Sequence, residues 1–141
     1  MMRRESWRTD FYEAIERHRP HVFEWGAHDC AILTADAIEA VIGEDLARTF
    51  RGRYSKRDET PELLRSHGYE SPVEILVSRF DEIHPSAAIV GDVAIVPTRW
   101  GPATAPVVGA ELAVYAPGGP LGLAPIEEAV RAFRIEIREG R

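Results

Sequence analysis

Apolar residues recur along the first part of the chain at the spacing of an α-helix. Trp7, Phe11, Ile15 and His18 fall on one face, and Pro20 closes the segment because proline cannot continue the backbone hydrogen bonding. From Cys30 to Ile42, Cys30, Leu33, Ala37 and Val41 make one stripe and Ala31, Ala35, Ile38 and Ile42 a neighbouring one, with Gly43 as the stop. Two stripes predict a central helix that is largely buried. Ala47 to Thr60 is polar and irregular. Two short helices follow: Thr60-Pro61 leads to Leu63 and Leu64 and ends at Gly68, and Ser71-Pro72 opens another with Glu74 as its capping-box partner.

The period then changes. Gly91-Asp92 is a turn before Val93-Ala94-Ile95-Val96, a strand apolar on both faces that Pro97 is expected to end. Thr98 to Pro106 reads as a Gly/Pro-rich loop carrying Arg99 and Trp100. Val107 to Ala116 reads as a second strand and Pro117-Gly118-Gly119-Pro120 as a turn. Phe133, Ile135 and Ile137 alternate with Arg134, Glu136 and Arg138, the pattern of a strand with one buried and one solvated face. The expected fold class is α+β, with N-terminal helices packed on a C-terminal antiparallel sheet. No internal repeat, linker or low-complexity segment divides the 141 residues, so a single domain over 1–141 is expected.

Composition narrows the function classes. At 45% hydrophobic and 28% charged the chain can bury a real core. No stretch is long enough for a membrane span, and the N-terminus runs into a charged helix without a signal-peptide apolar core, so folding in the cytoplasm is expected. The net charge of −6 argues against general nucleic-acid binding. The basic cluster Arg48, Arg51, Arg53, Lys56 and Arg57 reads as a solvated loop, and Asp36, Glu39, Glu44 and Asp45 as a solvated face without calcium-loop spacing. No Gly-rich phosphate loop stands between a strand and a helix, so no cofactor is expected. His18, His21 and His67 stand at helix ends, where capping or surface roles suffice.

The chemistry centres on Cys30, the only cysteine, which excludes an internal disulfide and a cysteine metal cluster. It follows Phe23-Glu24-Trp25-Gly26-Ala27-His28-Asp29, with Asp29 as the expected N-cap of the second helix. Unpaired N–H groups and the positive end of the dipole there favour a thiolate. A thiol with no base beside it is only a small, weakly polar packing group. Trp7 and Trp25 sit at apolar-periodic or motif positions and are expected in the core, whereas Trp100 stands apart in its loop.

A cysteine opening a helix after W-G-x-x-D, followed by a G-D-V-A-I-V strand, resembles the NlpC class of bacterial cell-wall cysteine peptidases, which have a papain-like core. The run FEWGAHDC, AD, G-E-D, RGRY, GDVAIV and a closing AVRAFRI is similar to a phage and prophage family of that superfamily with no firmly assigned activity. The resemblance implies a papain-like fold with Cys30 at the nucleophile position. It also implies a base histidine on the strand after G-D, and the matching segment Pro106-Val107-Val108-Gly109-Ala110 has none. His28 and His84 are the substitute bases to consider. The expectation is a non-catalytic structural or assembly component of a phage tail, in the tail-tip region and the virion, with other tail proteins as partners and Trp100 and Arg99 as contact residues. The alternative is an active peptidase or amidase cutting peptidoglycan stem peptides through Cys30.

Overall fold

The two N-terminal helices form where the apolar spacing places them. In the computed structural model, which describes residues 1–116 and 118–138, α1 spans Trp7–His18 and α2 spans Cys30–Ile42. Phe11, Ala14, Ile15 and His18 form the buried face of α1. Both predicted stripes of α2 lie inside, where Leu33, Ala37, Ile38 and Val41 join the main core. The helix stops at Gly43, whose φ of 82° is a left-handed conformation that glycine adopts without strain. Helices α3 (Thr60–Ser66) and α4 (Pro72–Arg79) each carry a proline in the first turn, where no intrahelical N–H is needed. The capping box expected at Ser71 does not form. The Ser71 side chain makes no cap bond, and Glu74 accepts from the Glu70 N–H at 2.9 Å.

The C-terminal half is an antiparallel sheet. Strands β1 (Asp81–Ile83), β2 (Val93–Thr98), β3 (Gly101–Pro106) and β6 (Arg131–Arg134) lie in the order β1-β6-β2-β3. Strands β4 (Glu111–Tyr115) and β5 (Leu121–Pro125) make a separate ribbon, linked to β3 by a bridge between Val107 and Leu112. The chain is therefore α+β with N-terminal helices and a C-terminal antiparallel sheet. Val93, Ile95 and Phe133 of the sheet meet Phe11, Leu33 and Val41 of the helices in one core. Among the described residues no helix is long and apolar enough to cross a membrane.

Several strand expectations are corrected. Pro97 does not end β2, and the expected loop from Thr98 to Pro106 is the second arm of a hairpin that turns at Arg99-Trp100. Pro97 pairs with Pro102 and Val93 with Pro106. In such pairs the N–H groups point out of the β2–β3 ladder, so proline removes no bond from it. The strand read as Val107 to Ala116 begins at Glu111, after a turn in which Gly109 has a φ of 123°. The turn expected at 117–120 includes Pro117, which lies outside the described residues; Gly118 and Gly119 do form a turn and bend. Strands β1 and β5 lacked an apolar alternation that would have announced them.

The last strand is shorter than its alternation because a side chain takes over its hydrogen bonding. Asp92, fully buried, accepts from the Ile135 N–H at 3.1 Å and the Ile89 N–H at 2.9 Å. The same carboxylate accepts from Arg3 at 2.8 Å and Arg134 at 3.1 Å. Arg3 donates in addition to the carbonyls of Val90, at 2.7 Å, and Ile135, at 2.9 Å. The beginning of the chain, the Gly-Asp turn and the end of the sheet are thereby joined at one carboxylate.

Removing one partner from a buried ion pair leaves uncompensated charge. Asp92→Ala is expected to cost about 3–5 kcal/mol in urea unfolding. Arg131→Ala breaks an exposed pair with Glu82 and is expected to cost less than about 1 kcal/mol in the same experiment.

Candidate functional site

The site is assembled around the first turn of α2. Asp29 is the N-cap, with its Oδ1 accepting from the Ile32 N–H at 2.8 Å. Its Oδ2 accepts from the Gly26 N–H at 2.8 Å and the Tyr54 hydroxyl at 2.5 Å. Asp29 is almost fully buried, so this cap is an internal one and serves the expected structural role. Gly26 has a φ of 84°, and a Cβ there would overlap the Tyr54 carbonyl oxygen. The W-G-x-x-D and R-G-R-Y segments thus hold each other in place.

Cys30 follows, half-buried on the floor of a cleft of about 350 Å³. Thr104 of β3 donates its hydroxyl to the Cys30 carbonyl at 3.2 Å. The wall is aromatic: Phe23 meets Trp25 edge-on at 4.6 Å and Tyr115 at 6.2 Å, and Trp25 lies 5.9 Å from Trp100. Trp100 is 41% exposed at the hairpin turn. The guanidinium of Arg99 lies 4.7 Å and that of Arg57 5.6 Å from its ring centre. Trp7 and Trp25, expected in the core, are only half-buried. Trp25 belongs to this wall, and Trp7 packs under Arg3 and Arg8.

Electrostatics oppose a reactive thiol. Burial pushes the Cys30 thiol up, a backbone hydrogen bond from Tyr115 pulls the other way, and the neighbouring Asp29 charge raises it further. The net shift is upward. Among the described residues no histidine hydrogen-bonds the thiol. His28 turns to His18, with the two Nδ1 atoms 3.2 Å apart, and stacks on His21 at 3.8 Å. His84 is exposed beyond β1, where its Nδ1 caps the following turn by accepting from the Ser86 N–H at 3.1 Å. In the segment where the resemblance would place a base, Val107 is buried with Leu112, Ala94 and Ala105 in a second cluster, while Val108 packs against the main core that Cys30 also touches.

Beneath the aromatic wall runs a polar chain that spacing alone did not reveal. His18 places Nε2 2.5 Å from Asp36 and Nδ1 2.6 Å from the Tyr115 hydroxyl. The Tyr115 hydroxyl also donates to the His18 carbonyl at 3.3 Å, which ties β4 to the end of α1. Asp36 also accepts from Arg51 at 2.5 Å, and Arg51 reaches Asp45 at 2.9 Å. Three expectations are corrected here. His18 is buried rather than a surface cap, Arg51 leaves the solvated basic loop, and Asp36 and Asp45 leave the solvated face. A carboxylate set in the apolar run of α2 was the available signal. Burial alone would raise Asp36, but hydrogen bonds from His18 and Arg51 hold it below the usual carboxylate range. Among the described residues no group of three His, Cys, Asp or Glu side chains could hold a metal ion.

The family model for DUF6950, described as a domain of unknown function, matches residues 2–135. The chain belongs to the DUF6950 family. No curated protein and no solved structure matches it. The DUF6950 match runs from before Arg3 to Ile135, and so takes in the Asp92 clamp, the Asp29 cap and the cleft.

Two measurements check the electrostatics. Iodoacetamide alkylation of Cys30 at pH 7.5 is expected to run at least about tenfold slower than that of a cysteine in an unstructured peptide. His28 is held below its ordinary value by burial and by the neighbouring His21 and His18. A base depressed in this way contributes stability that is complete above the unfolded pKa of about 6.5 and is lost as pH falls through the folded value. The Tm is expected to drop as pH is lowered from about 6.5, and His28→Gln to flatten that part of the curve.

Proposed function

We propose that this DUF6950 domain is a non-catalytic structural or assembly component of a tailed-phage tail, in the tail-tip region, built on a degenerate NlpC-like, papain-like fold. One observation carries the non-catalytic part. At Cys30 the groups contributed by the sheet are Thr104 and Tyr115, and no imidazole hydrogen-bonds the sulfur. Peptide hydrolysis needs a group that takes the thiol proton and returns it to the leaving amine. Burial, together with the charge of Asp36, Asp29 and Cys30 nearby, raises the Tyr115 hydroxyl well above its ordinary value, so it stays protonated and cannot serve as that base. The placement in a tail rests on the sequence resemblance. The protein would be made in the bacterial cytoplasm and carried into the virion.

A domain without chemistry acts by contact. Trp100 stands at the tip of the β2–β3 hairpin, half out of the fold, with Arg99 beside it and Trp25 behind it. Exposed aromatics and arginines on a stiff support are the side chains that dominate protein interfaces. In this reading Trp100 and Arg99 are buried against a neighbouring tail protein.

Cys30→Ala is expected to leave tail assembly intact, and the wild-type protein to release no amine from peptidoglycan or stem peptides. Hydrolysis that disappears in Cys30→Ala would establish a cysteine peptidase or amidase instead. Trp100→Ala is expected to change the Tm by less than about 3 °C while incorporation into particles is lost. A lowered Tm with normal incorporation would assign Trp100 to stability alone.

A further inference from the structure

Two arginines far apart in sequence converge on the indole of Trp100. Arg99 precedes it at the β2–β3 turn and Arg57 comes from the short turn before α3, with guanidinium carbons 4.7 and 5.6 Å from the ring centre. The two cations are therefore at most about 10 Å apart, about one Debye length in ~0.1 M salt, so each feels the other's charge. Both side chains are exposed, and among the described residues neither forms an ion pair or a side-chain hydrogen bond. Contact with the ring leaves their N–H donors without an acceptor from the chain. The tip that holds them is fixed. The Thr98 hydroxyl donates to the Gly101 carbonyl at 2.6 Å and accepts from the Trp100 N–H at 3.1 Å, and Trp25 backs the indole. Glu59 accepts from the N–H groups of Ser55 and Lys56 at 2.8 and 3.1 Å, which fixes the backbone leading to Arg57. A surface ordered in advance loses little entropy on binding.

Behind the two arginines the cleft is mainly apolar, with Phe23, Trp25, Leu64 and Tyr115 in its lining. Its volume of about 350 Å³ is more than twice the roughly 150 Å³ that takes up benzene, so a large aromatic side chain fits inside. Two carboxylates also belong to the lining. Asp29 is buried and bonded to Gly26, Ile32 and Tyr54, and the exposed Glu70, just before α4, forms no ion pair with either arginine. Charges beyond about 8 Å are largely screened at physiological salt, so the uncompensated pair at the tip, rather than the net −6 of the chain, decides what docks there. We propose that the cleft holds a segment of a partner protein in which an acidic residue adjoins a large apolar one, the carboxylate paired with the guanidiniums of Arg57 and Arg99 and the apolar side chain entering beside Trp25. This rests on the reading of Trp100 and Arg99 as contact residues and adds the chemistry of what they contact. Two side chains on one backbone engage rim and interior together, which an inorganic anion cannot do.

The indole N–H signals of isotope-labelled protein report the site in NMR, because Trp25 and Trp100 line the cleft and Trp7 lies apart from it under Arg3 and Arg8. Acetyl-Glu-Phe-Glu-amide, with a carboxylate on either side of the ring, is expected to shift Trp25 and Trp100 saturably and to leave Trp7 in place. Acetyl-Gln-Phe-Gln-amide is expected to bind about tenfold more weakly at low salt, and the difference to shrink as salt is raised. Arg57→Gln and Arg99→Gln change exposed side chains, and each is expected to weaken the acidic peptide about two- to fivefold, the range of an exposed pair. The proposal is overturned if the glutamine peptide binds as tightly, if the double variant binds the acidic peptide like the wild type, or if no peptide shifts Trp25 and Trp100 saturably. Trp100 signals that move with protein concentration alone, with a rising sedimentation coefficient, would make a second copy the occupant. Oligothymidylate bound more tightly than the acidic peptide would make it a nucleic acid, and either result overturns the proposal. Normal incorporation of Trp100→Ala into particles overturns the contact reading instead, so the two failures are told apart.

Discussion

Helix α2 begins inside the protein, and that constraint governs the rest. The first N–H groups of a helix have no intrahelical partner, and away from water they must be satisfied by the chain itself. Asp29 meets part of that demand with one oxygen and uses the other to bind Gly26 and Tyr54. The approach to the helix and the irregular segment after it are therefore fixed by a single carboxylate. The same logic operates two turns further along α2. Asp36 would be costly among apolar neighbours without the hydrogen bonds of His18 and Arg51, and these bring α1 and the segment before α3 against it.

This solution shapes the chemistry of the cleft. The carboxylate that starts the helix is also the charge nearest the thiol in sequence, and its effect on Cys30 is the opposite of the dipole's. The imidazole that lies in the polar chain below is held by Asp36 on one side and Tyr115 on the other. A histidine engaged at both nitrogens orders its neighbours and is not available to a sulfur. The thiol at this helix start is thus held away from the thiolate form by its surroundings, and an aromatic wall lies above it.

Where the sequence was legible, a strong local signal agreed with the final packing. The bounds of α1 and α2, the N-cap Asp29 and the Gly43 stop follow from periodicity and cap chemistry that act within a few residues. Strand β2 was legible for the same reason, since a short apolar run after a Gly-Asp turn has few other destinations. The hairpin arm β3 was hidden because its prolines carry the signature of a loop, and only the register shows that they fall where no ladder N–H is needed. Asp36 and Arg51 were assigned a surface role, and His18 a capping or surface one although it falls on the apolar face of α1. His18 and Arg51 lie 18 and 15 residues from Asp36, and no local pattern encodes that pairing. The placement of Thr104 and Tyr115 at the cleft was likewise a product of strand packing, which periodicity does not report.

The prolines of β3 have one more effect. An edge strand normally offers a row of unsatisfied N–H and C=O groups on which another chain can build. Here positions 102, 104 and 106 face outward, and two of the three have no N–H to give. The remaining donor, at Thr104, lies against the start of α2, where its side chain is already bonded. The edge is therefore closed to β-augmentation, both by a foreign strand and by another copy of the same chain. Whatever meets this side of the molecule has to recognise side chains rather than extend the backbone ladder.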